Sequence, residues 1–570
     1  MKSTRFLPVL MVMLLSQPVI AGDTSDNNEE ILKLKNTTQN LLDNLVEIGA
    51  LSEWRAQQIL KQSEEQAAAQ LAAEKEKQKA DQESLEKDQA EAPAGVVRVP
   101  YVPDYVRDEI KGEISTDLQS KVVEDVMAQA KNEAWGVPNA LPDWTRRFKF
   151  SGDLRLRLQG DIYAPNNAPF GTAFVDYNDV NDNGGFSGSF LNTDEDRYRA
   201  RYRMRLGVKA KVTNGVTAGI RIATGQEGNP VSTNQTMDGD FGSKQLILDR
   251  AYVKYDGYDE DSYPWITAWG GRMPNPWFKT DLVWDEDVNP EGFAATFRFN
   301  MSGSDDLFSM DRRDRTMFLT VGAFTVDEIE YSGDDKWLFA TQIGYDMIFE
   351  DQSNFKIALA YYDYYNIEGK RSPVSQPNLY DTTAPGFVQK GNSMFDISNV
   401  PGEPFQRFGL ASDYNLVDLT LKYDIARFAP FHVILSGDYV ENIGYDADDI
   451  TSRLEGGFMF VNSTFATDDP ENAETTGYML KVTLGWPNVL LRDTWQTFFA
   501  FKHLERDAVP DAFTDSDFHL GGTNAEGWII GGSYSLIDNT YLKVRYLSAD
   551  EIVGPPLGID VIQVDLNTKF

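Results

Sequence analysis

The sequence contains no cysteine and only three histidines, which excludes several kinds of chemistry. Without cysteine there is no disulfide, no zinc–thiolate site, no iron–sulfur cluster and no thiol nucleophile. A c-type haem is excluded as well, because it is attached through cysteine. We therefore expect no cofactor. An exported protein of this composition must be held together by other means than disulfides.

The sequence also lacks an excess of positive charge, and it has no long apolar run after its first residues. The formal net charge is −35, which argues against nucleic acid as a partner, since phosphate binding requires a basic face. No later segment approaches the roughly 20 uninterrupted apolar residues of a transmembrane helix.

No catalytic group of residues stands out either: His432 and Ser436 share one strand face without a supporting acid or oxyanion site. We predict that the protein is not an enzyme.

The N-terminus has the features of a secretory signal peptide. Lys2 and Arg5 precede an apolar run over residues 6–15, and Val19-Ile20-Ala21 supplies small or apolar residues around a cleavage point. The run is too short to span about 30 Å of hydrocarbon. We therefore predict that residues 1–21 are a signal peptide, cleaved after Ala21.

Composition divides the rest of the chain into unlike regions. Residues 22–92 are rich in Ala, Gln, Glu and Lys, which predicts a helical, partly coiled-coil-like periplasmic extension, with disorder as the alternative. Residues 93–147 begin with a proline-containing linker. Apolar residues then recur every four positions from Val106 to Val126, which predicts an amphipathic helix.

From Phe148 onward the apolar residues no longer recur at helical spacing but at every second position. The clearest example is the segment 197–212, where Arg, Lys and Gly alternate with Tyr, Ala, Met, Leu and Val. In a strand these two sets lie on opposite faces, one apolar and one cationic. About 16 such segments follow one another to the C-terminus, each close to the length of an outer-membrane strand.

The connections between these segments alternate between short and long. The links 213–215 and 350–354 are short, whereas 160–196 and 366–412 are long. Short turns at one end and long loops at the other are typical of outer-membrane barrels. Lipid offers no hydrogen-bond partners, so the sheet must close on itself. We therefore predict that residues 148–570 form an all-β, antiparallel transmembrane barrel of about 16 strands.

Several motifs resemble those of the bacterial "putative porin" family in order and spacing. They include Leu41 to Glu53, Val97 to Pro103, Trp135-Gly136, Pro142-Asp143-Trp144 and Gly152-Asp153-Leu154-Arg155-Leu156-Arg157. The similarity covers essentially the whole mature chain. It implies an outer-membrane channel in a Gram-negative bacterium, and it supplies neither an agreed substrate nor catalytic residues.

In such a barrel the polar face lines the lumen and sets selectivity. The predicted pore-lining residues are Arg155, Arg157, Arg197, Arg199, Arg201, Arg203, Arg205 and Arg221. The third long connection carries the carboxylates Asp281, Asp285, Glu286, Asp287 and Glu291. We predict that this loop folds into the lumen opposite the arginines and forms a constriction. The alternative is a solvated acidic cap outside the barrel.

Two further features have simpler interpretations. Asp176, Asp179 and Asp182 offer oxygens that could hold calcium, although they do not match the EF-hand spacing, and a solvated acidic loop is the favoured interpretation. Phe570 ends an alternating strand, and a terminal Phe is the signal that barrel-assembly machinery selects.

The sequence thus predicts a porin that passes small hydrophilic solutes or ions by diffusion, with a preference for anions. The alternative is a structural tether, in which the N-terminal helices bind peptidoglycan or a periplasmic partner. Outer-membrane lipid is an expected partner in either case. A homotrimer is expected by analogy with porins of similar strand number.

Overall fold

The computed structural model describes residues 147–259, 263–301, 314–331, 333–403, 406–454, 457–461 and 467–570. The predicted signal peptide, helical extension and linker helix lie outside these residues. Within them, sixteen long strands pair antiparallel in chain order, and the first strand also pairs with the last. The sheet is a closed barrel, which confirms the predicted fold class and strand number for this part of the chain.

The strands are numbered here in chain order. They are β1 Phe148–Tyr163, β2 Arg197–Thr213, β3 Val216–Thr224, β4 Leu246–Tyr258, β5 Pro264–Arg272, β6 Glu291–Asn300, β7 Arg315–Asp327, β8 Lys336–Ile348, β9 Asn354–Tyr365, β10 Tyr414–Ile425, β11 His432–Asn442, β12 Thr476–Gly485, β13 Trp495–Leu504, β14 Ala525–Ile537, β15 Thr540–Glu551 and β16 Gly558–Lys569.

The ends of the barrel differ in the length of their connections. One end carries links that include the short ones 214–215, 349–353 and 538–539, and the other end carries eight loops, most of which are longer. These are L1 (164–196), L2 (225–245), L3 (273–290), L4 (328–335), L5 (366–413), L6 (443–475), L7 (505–524) and L8 (552–557). The predicted alternation of short and long connections therefore holds for most of the chain but is not strict, because L4 has 8 residues and L8 has 6, whereas the link 486–494 at the other end has 9.

The loops contain short elements of their own. Helix α1 (Tyr177–Asn183) lies in L1 and helix α2 (Ala447–Leu454) in L6. Single 3₁₀ turns cover Asp381–Thr383, Asp511–Phe513 and Phe518–Leu520, and the strand Gln235–Thr236 pairs with β2. Strands Ser393–Asp396, Phe408–Leu410, Met459–Val461 and Thr467–Asp468 form a small separate sheet. In the described part of the chain, no helix combines the length and apolar character needed to cross a membrane.

The barrel strands expose their apolar face and bury their polar face. On β1, Leu154, Leu156 and Leu158 are 41–64% exposed, whereas Arg157 and Asp161 are 1% exposed. This is the reverse of a soluble sheet, and it fits strands whose outer side contacts lipid. Aromatic residues next to the short turns are also exposed, as expected for an interfacial girdle: Tyr255, Trp265, Phe299, Phe431 and Trp495.

The barrel closes between β1 and the C-terminal residue. The Gly152 N–H donates to the Phe570 carbonyl at 2.9 Å, and the Phe570 N–H donates to the Gly152 carbonyl at 3.0 Å. The Phe570 ring lies over Gly152, where a Cβ atom would come within 2.5 Å of it. A side chain at this point of the seam would have to displace the Phe570 ring. The assembly role of Phe570 stays a prediction.

The main apolar core lies among the loops and the inner face of the barrel wall. L3 contributes Trp277, Leu282 and Trp284, which cluster with the wall residues Ala360, Tyr362, Leu416 and Val440 and with Met394 and Phe408 of L5. The lumen is thus partly filled by loops, and the filled part lies toward strands β6–β13. A second apolar cluster packs L1 and L7 against β13–β16. Two cavities remain beside β1 and β2, and a third, of about 280 Å³, lies among the loops at the ends of β7 and β8.

Candidate functional site

Strands β1 and β2 place a row of arginines on the inner face of the barrel. Their register sets Arg155 opposite Arg203 and Arg157 opposite Arg201, and directly opposed residues share one face of a sheet. Arg221 of β3 pairs with Gly207, on the same face of β2. The structure therefore brings all eight predicted arginines to one wall.

Most of these arginines are neutralised by carboxylates that the sequence analysis did not single out. Arg199 pairs with Asp161 at 2.6 Å, and Arg157 pairs with Asp565 at 2.7 Å. Asp153 holds both Arg203, at 2.9 Å, and Arg205, at 2.8 Å. Asp249 pairs with Arg221. Such partners are required because like charges at this density, partly shielded from water, are otherwise unfavourable.

Three of the eight arginines have no carboxylate within 4.0 Å among the described residues: Arg155, Arg197 and Arg201. Arg201 Nη1 donates to Gln159 Oε1 at 3.3 Å, and Arg155 Nη2 donates to Asn234 Oδ1. The Nε atoms of Arg155 and Arg201 are buried and make no hydrogen bond. Among the described residues, the charge of these three side chains is thus not neutralised by a direct carboxylate partner.

L3 crosses the inside of the barrel and binds the far wall. Phe278 and the side chain of Gln342 on β8 exchange two hydrogen bonds, of 2.9 and 2.8 Å. Thr280 Oγ1 donates to Asp438 on β11, and Lys502 Nζ on β13 donates to the Asp281 carbonyl at 2.9 Å. L3 therefore lies inside the barrel rather than as a cap outside it.

An inner cavity of about 100 Å³ lies between the arginine wall and L3. Its five cationic side chains all come from barrel strands: Arg155, Arg203, Lys481, Lys543 and Arg545. Its six carboxylates all come from L3 and L7: Asp281, Asp285, Glu286, Asp287, Asp515 and Asp517. Charge of opposite sign thus faces across the cavity. The constriction role of the loop acids stays a prediction.

One of the five predicted loop acids does not join this group. Glu291 is the first residue of β6, is exposed, and pairs with Arg272 at the end of β5. By contrast, Asp287 accepts from Arg205 at 3.1 Å and from the Thr233 N–H at 3.0 Å. The cluster therefore contains four of the predicted acids.

L7 supplies two site residues that the sequence analysis missed. Asp517 pairs with Arg157 at 2.8 Å and with Arg545, and it accepts from Gln563 at 2.9 Å. Asp515 pairs with Lys502 at 3.4 Å. Acidic residues are common in long exposed loops, so the composition of L7 alone carried little signal.

An outer cavity of about 340 Å³ lies farther along the same wall. Its charged lining residues are Arg197, Arg199, Arg201 and Asp161, so arginines outnumber carboxylates by three to one. Its apolar lining comes from loops: Val231, Phe387, Val388 and Leu520. Val231 and Ser516 line both cavities, so the two spaces lie next to each other.

The calcium candidate in L1 has other contacts. The Asp176 side chain accepts from the Asp179 N–H at 3.2 Å and caps helix α1. Asp179 accepts from Asn183 at 2.8 Å and from Ser189. Within the described ranges, no three His, Cys, Asp or Glu side chains are grouped closely enough to hold a metal ion.

Comparison with known proteins decides the family. The model of the family described as "putative porin" matches residues 35–570. This chain belongs to that family. A search among curated proteins gave no match. Family membership and the closed barrel together indicate that the porin is an outer-membrane channel.

Solved structures similar to this porin include three outer-membrane proteins. Pseudomonas putida OprB is 12% identical over 76% of this chain and 97% of that one, with a TM-score of 0.41. The Acinetobacter baumannii channel DcaP is 11% identical over 74% and 97%, with a TM-score of 0.36. Salmonella typhi OmpF is 12% identical over 74% and 97%, with a TM-score of 0.34. Similarities this low carry no functional argument, and family membership rests on the family model.

Proposed function

We propose that this porin passes small hydrophilic solutes by passive diffusion along the arginine wall, with a preference for anions. The observation that carries the preference is the row of three arginines without carboxylate partners. Arg197 and Arg201 line the outer cavity, and Arg155 lines the inner one. An anion moving along this wall would meet unneutralised guanidinium groups in both cavities, and such lining charges set the selectivity of a pore.

The inner cavity would add a second filter. Its cations lie on the barrel wall and its carboxylates lie on L3 and L7, so an electric field would cross the passage rather than run along it. Such a field orients water and dipolar solutes and penalises apolar ones. We propose that the predicted acids Asp281, Asp285, Glu286 and Asp287 act here, as the carboxylate side of the constriction.

The test is the conductance and reversal potential of the purified protein in planar bilayers across a potassium chloride gradient. We expect a reversal potential of the sign that anion permeation gives. Changing Arg199, Arg201 and Arg203 together to Gln should move it toward cation permeation, because three positive charges are removed from the wall. Arg492→Gln is the matched control, since Arg492 is exposed on the short link between β12 and β13. Unchanged values in the triple variant would remove these arginines from the passage.

Two parts of the sequence-based proposal extend beyond the barrel. The homotrimer is kept as a proposal, and native mass spectrometry of the detergent-solubilised protein tests it. The tether alternative depends on residues 22–92, which lie outside the described residues, and no structural observation favours it over the channel.

A further inference from the structure

We infer that the outer cavity is a binding site for small organic carboxylates that carry an apolar body. This inference rests on the proposed function, because the cavity lies on the same arginine wall. It adds a statement about the solute: selectivity would depend on the uncharged part of the molecule as well as on its charge.

The charged side of the cavity favours a carboxylate. Asp161 neutralises Arg199 at 2.6 Å, which leaves Arg197 and Arg201 without an acidic partner among the described residues. The Arg201 Nη1 contacts only an amide oxygen, that of Gln159 at 3.3 Å, and the Arg201 side chain lines the cavity. A guanidinium group that lines a cavity can bind a carboxylate through two parallel hydrogen bonds.

The apolar side of the cavity distinguishes organic from inorganic anions. Val231 of L2, Phe387 and Val388 of L5, and Leu520 of L7 all line it. A phosphate or chloride ion gains nothing from these side chains. A ring or alkyl body attached to the carboxylate would be removed from water against them, which is favourable in proportion to the apolar area buried.

The loops that form the apolar side are held in place by side-chain hydrogen bonds. The Asn178 amide both donates to the Val388 carbonyl, at 2.7 Å, and accepts from the Val388 N–H, at 2.9 Å. Gln389 Nε2 donates to the carbonyls of Asp511, at 2.7 Å, and Thr514, at 2.9 Å. The cavity is therefore formed before a solute arrives, which lowers the entropy cost of binding.

The size of the cavity fits this class of solute. Its volume of about 340 Å³ lies at the lower end of the range for small-molecule sites, roughly 300–1,000 Å³. The neighbouring inner cavity is smaller, about 100 Å³. A carboxylate with a single ring would thus be held in the outer cavity before it meets the narrower inner one.

The experiment is calorimetric titration of the purified protein in detergent with benzoate, and separately with benzamide and with inorganic phosphate. Benzamide keeps the ring without the charge, and phosphate keeps charge without the ring. We expect benzoate to bind at least about tenfold more tightly than either, since hydrogen bonds to charged groups contribute this much. Heat-modifiable migration on gels verifies that each variant is folded.

Three variants locate the site. Arg201→Gln should weaken benzoate binding about tenfold or more. Phe387→Ala should weaken benzoate binding several-fold and leave phosphate binding unchanged, because only benzoate uses the ring contact. Arg492→Gln should change neither.

Benzoate binding no tighter than phosphate binding, or benzoate binding that survives Arg201→Gln in a folded protein, would overturn the inference. If benzoate fails to bind while the reversal potential still indicates anion permeation, the inference is wrong and the proposed function stands. If the reversal potential indicates cation permeation, the proposed function is wrong as well.

Discussion

Between strands β6 and β13, the inner wall packs against aromatic and aliphatic side chains of the loops, with one cavity left at the ends of β7 and β8. Along β1 and β2, the inner wall is lined by charges and two cavities remain. Tyr362 and Trp284 represent the first side and are at most 2% exposed. Arg155 and Arg201 represent the second: they line the cavities and donate to amide oxygens, those of Asn234 and Gln159, rather than to carboxylates. The same barrel therefore contains a packed half and an open half.

The difference shows where a membrane barrel finds its core. Apolar side chains on its outer surface are already removed from water by lipid, so packing protein against them gives little further hydrophobic gain, and the ordinary buried core must lie inside. Apolar side chains pack densely and leave few voids. Charged side chains need partners and room for water, so they resist close packing. Loops packed on one half can thus be held firmly while the other half stays open.

The packed half can be disrupted by substituting Trp284, for which we expect the largest change in conductance. Its ring centroid lies 5.6 Å from those of both Tyr362 and Phe513. Trp284→Ala should weaken the attachment of L3 by roughly 3–5 kcal/mol, the usual cost of removing a buried large ring. Single-channel conductance should rise several-fold, because L3 would no longer be held across the lumen.

Trp528→Ala is the matched control for this prediction. Trp528 lies on the outer face of β14, is 37% exposed and contacts Tyr546. Its removal should leave conductance unchanged. A folded Trp284→Ala protein with unaltered conductance would show that L3 does not limit the passage.

The open half can be altered at Asp517, where we expect an intermediate effect. This L7 carboxylate joins Arg157 and Arg545 on the wall. Asp517→Ala removes hydrogen bonds to charged groups that are worth about 1.5–3 kcal/mol, while Arg157 keeps Asp565 as a partner. The reversal potential should move further toward anion permeation, because the inner cavity loses one negative charge.

The control for Asp517 is Asp448→Ala, on the exposed side of helix α2 in L6. It removes the same charge from a loop away from the cavities, and the reversal potential should not change. An Asp517→Ala protein whose reversal potential moves toward cation permeation would contradict the proposed role of the wall charges.

How much of this organisation the sequence predicts depends on how far apart along the chain the interacting residues lie. The alternation over 197–212 predicted a strand and both of its faces, because side-chain direction repeats every two residues. The contact of Arg157 with Asp517 joins residues 360 positions apart. No local pattern contains such a pairing, so Asp517 was not predicted as a partner of the arginines, whereas Asp287, which pairs with Arg205, was among the predicted loop acids.

The packed half was also missed, although the sequence contains a sign of it. On β9, the stretch 357–365 is apolar on both faces apart from Asp363. An outer face that meets lipid explains one apolar set. The inward set, Ala358, Ala360, Tyr362 and Tyr364, is buried, and it requires an apolar partner inside the barrel. Loss of alternation on one strand therefore indicates where a loop packs.

The smallest expected effect is a dependence of loop packing on pH. It distinguishes the loops L6 and L7, which should respond to pH, from the barrel strands, which should not. Burial, with repulsion from Glu505 and Asp507, raises the pKa of Glu474 in L6 to about 7. A carboxyl whose pKa is raised by folding stabilises the folded arrangement when it is protonated. That contribution is full below the ordinary glutamate pKa and is lost as pH rises from about 4.5 to 7. L6 and L7 should thus be packed more firmly at pH 5 than at pH 8.

Hydrogen-exchange protection factors for residues 443–475 and 505–524, corrected for the intrinsic effect of pH, measure this difference. Glu474→Gln should remove most of it and hold the loops in their low-pH state at both values, because an amide cannot ionise. Glu471→Gln, an exposed change in the same loop, should leave the difference in place. The barrel strands should show the same protection at both pH values, since Glu474 lies outside them. If the pH response persists in the Glu474→Gln protein, another titrating group must cause it. Buried Asp507 is then the nearest candidate, because burial raises its pKa too.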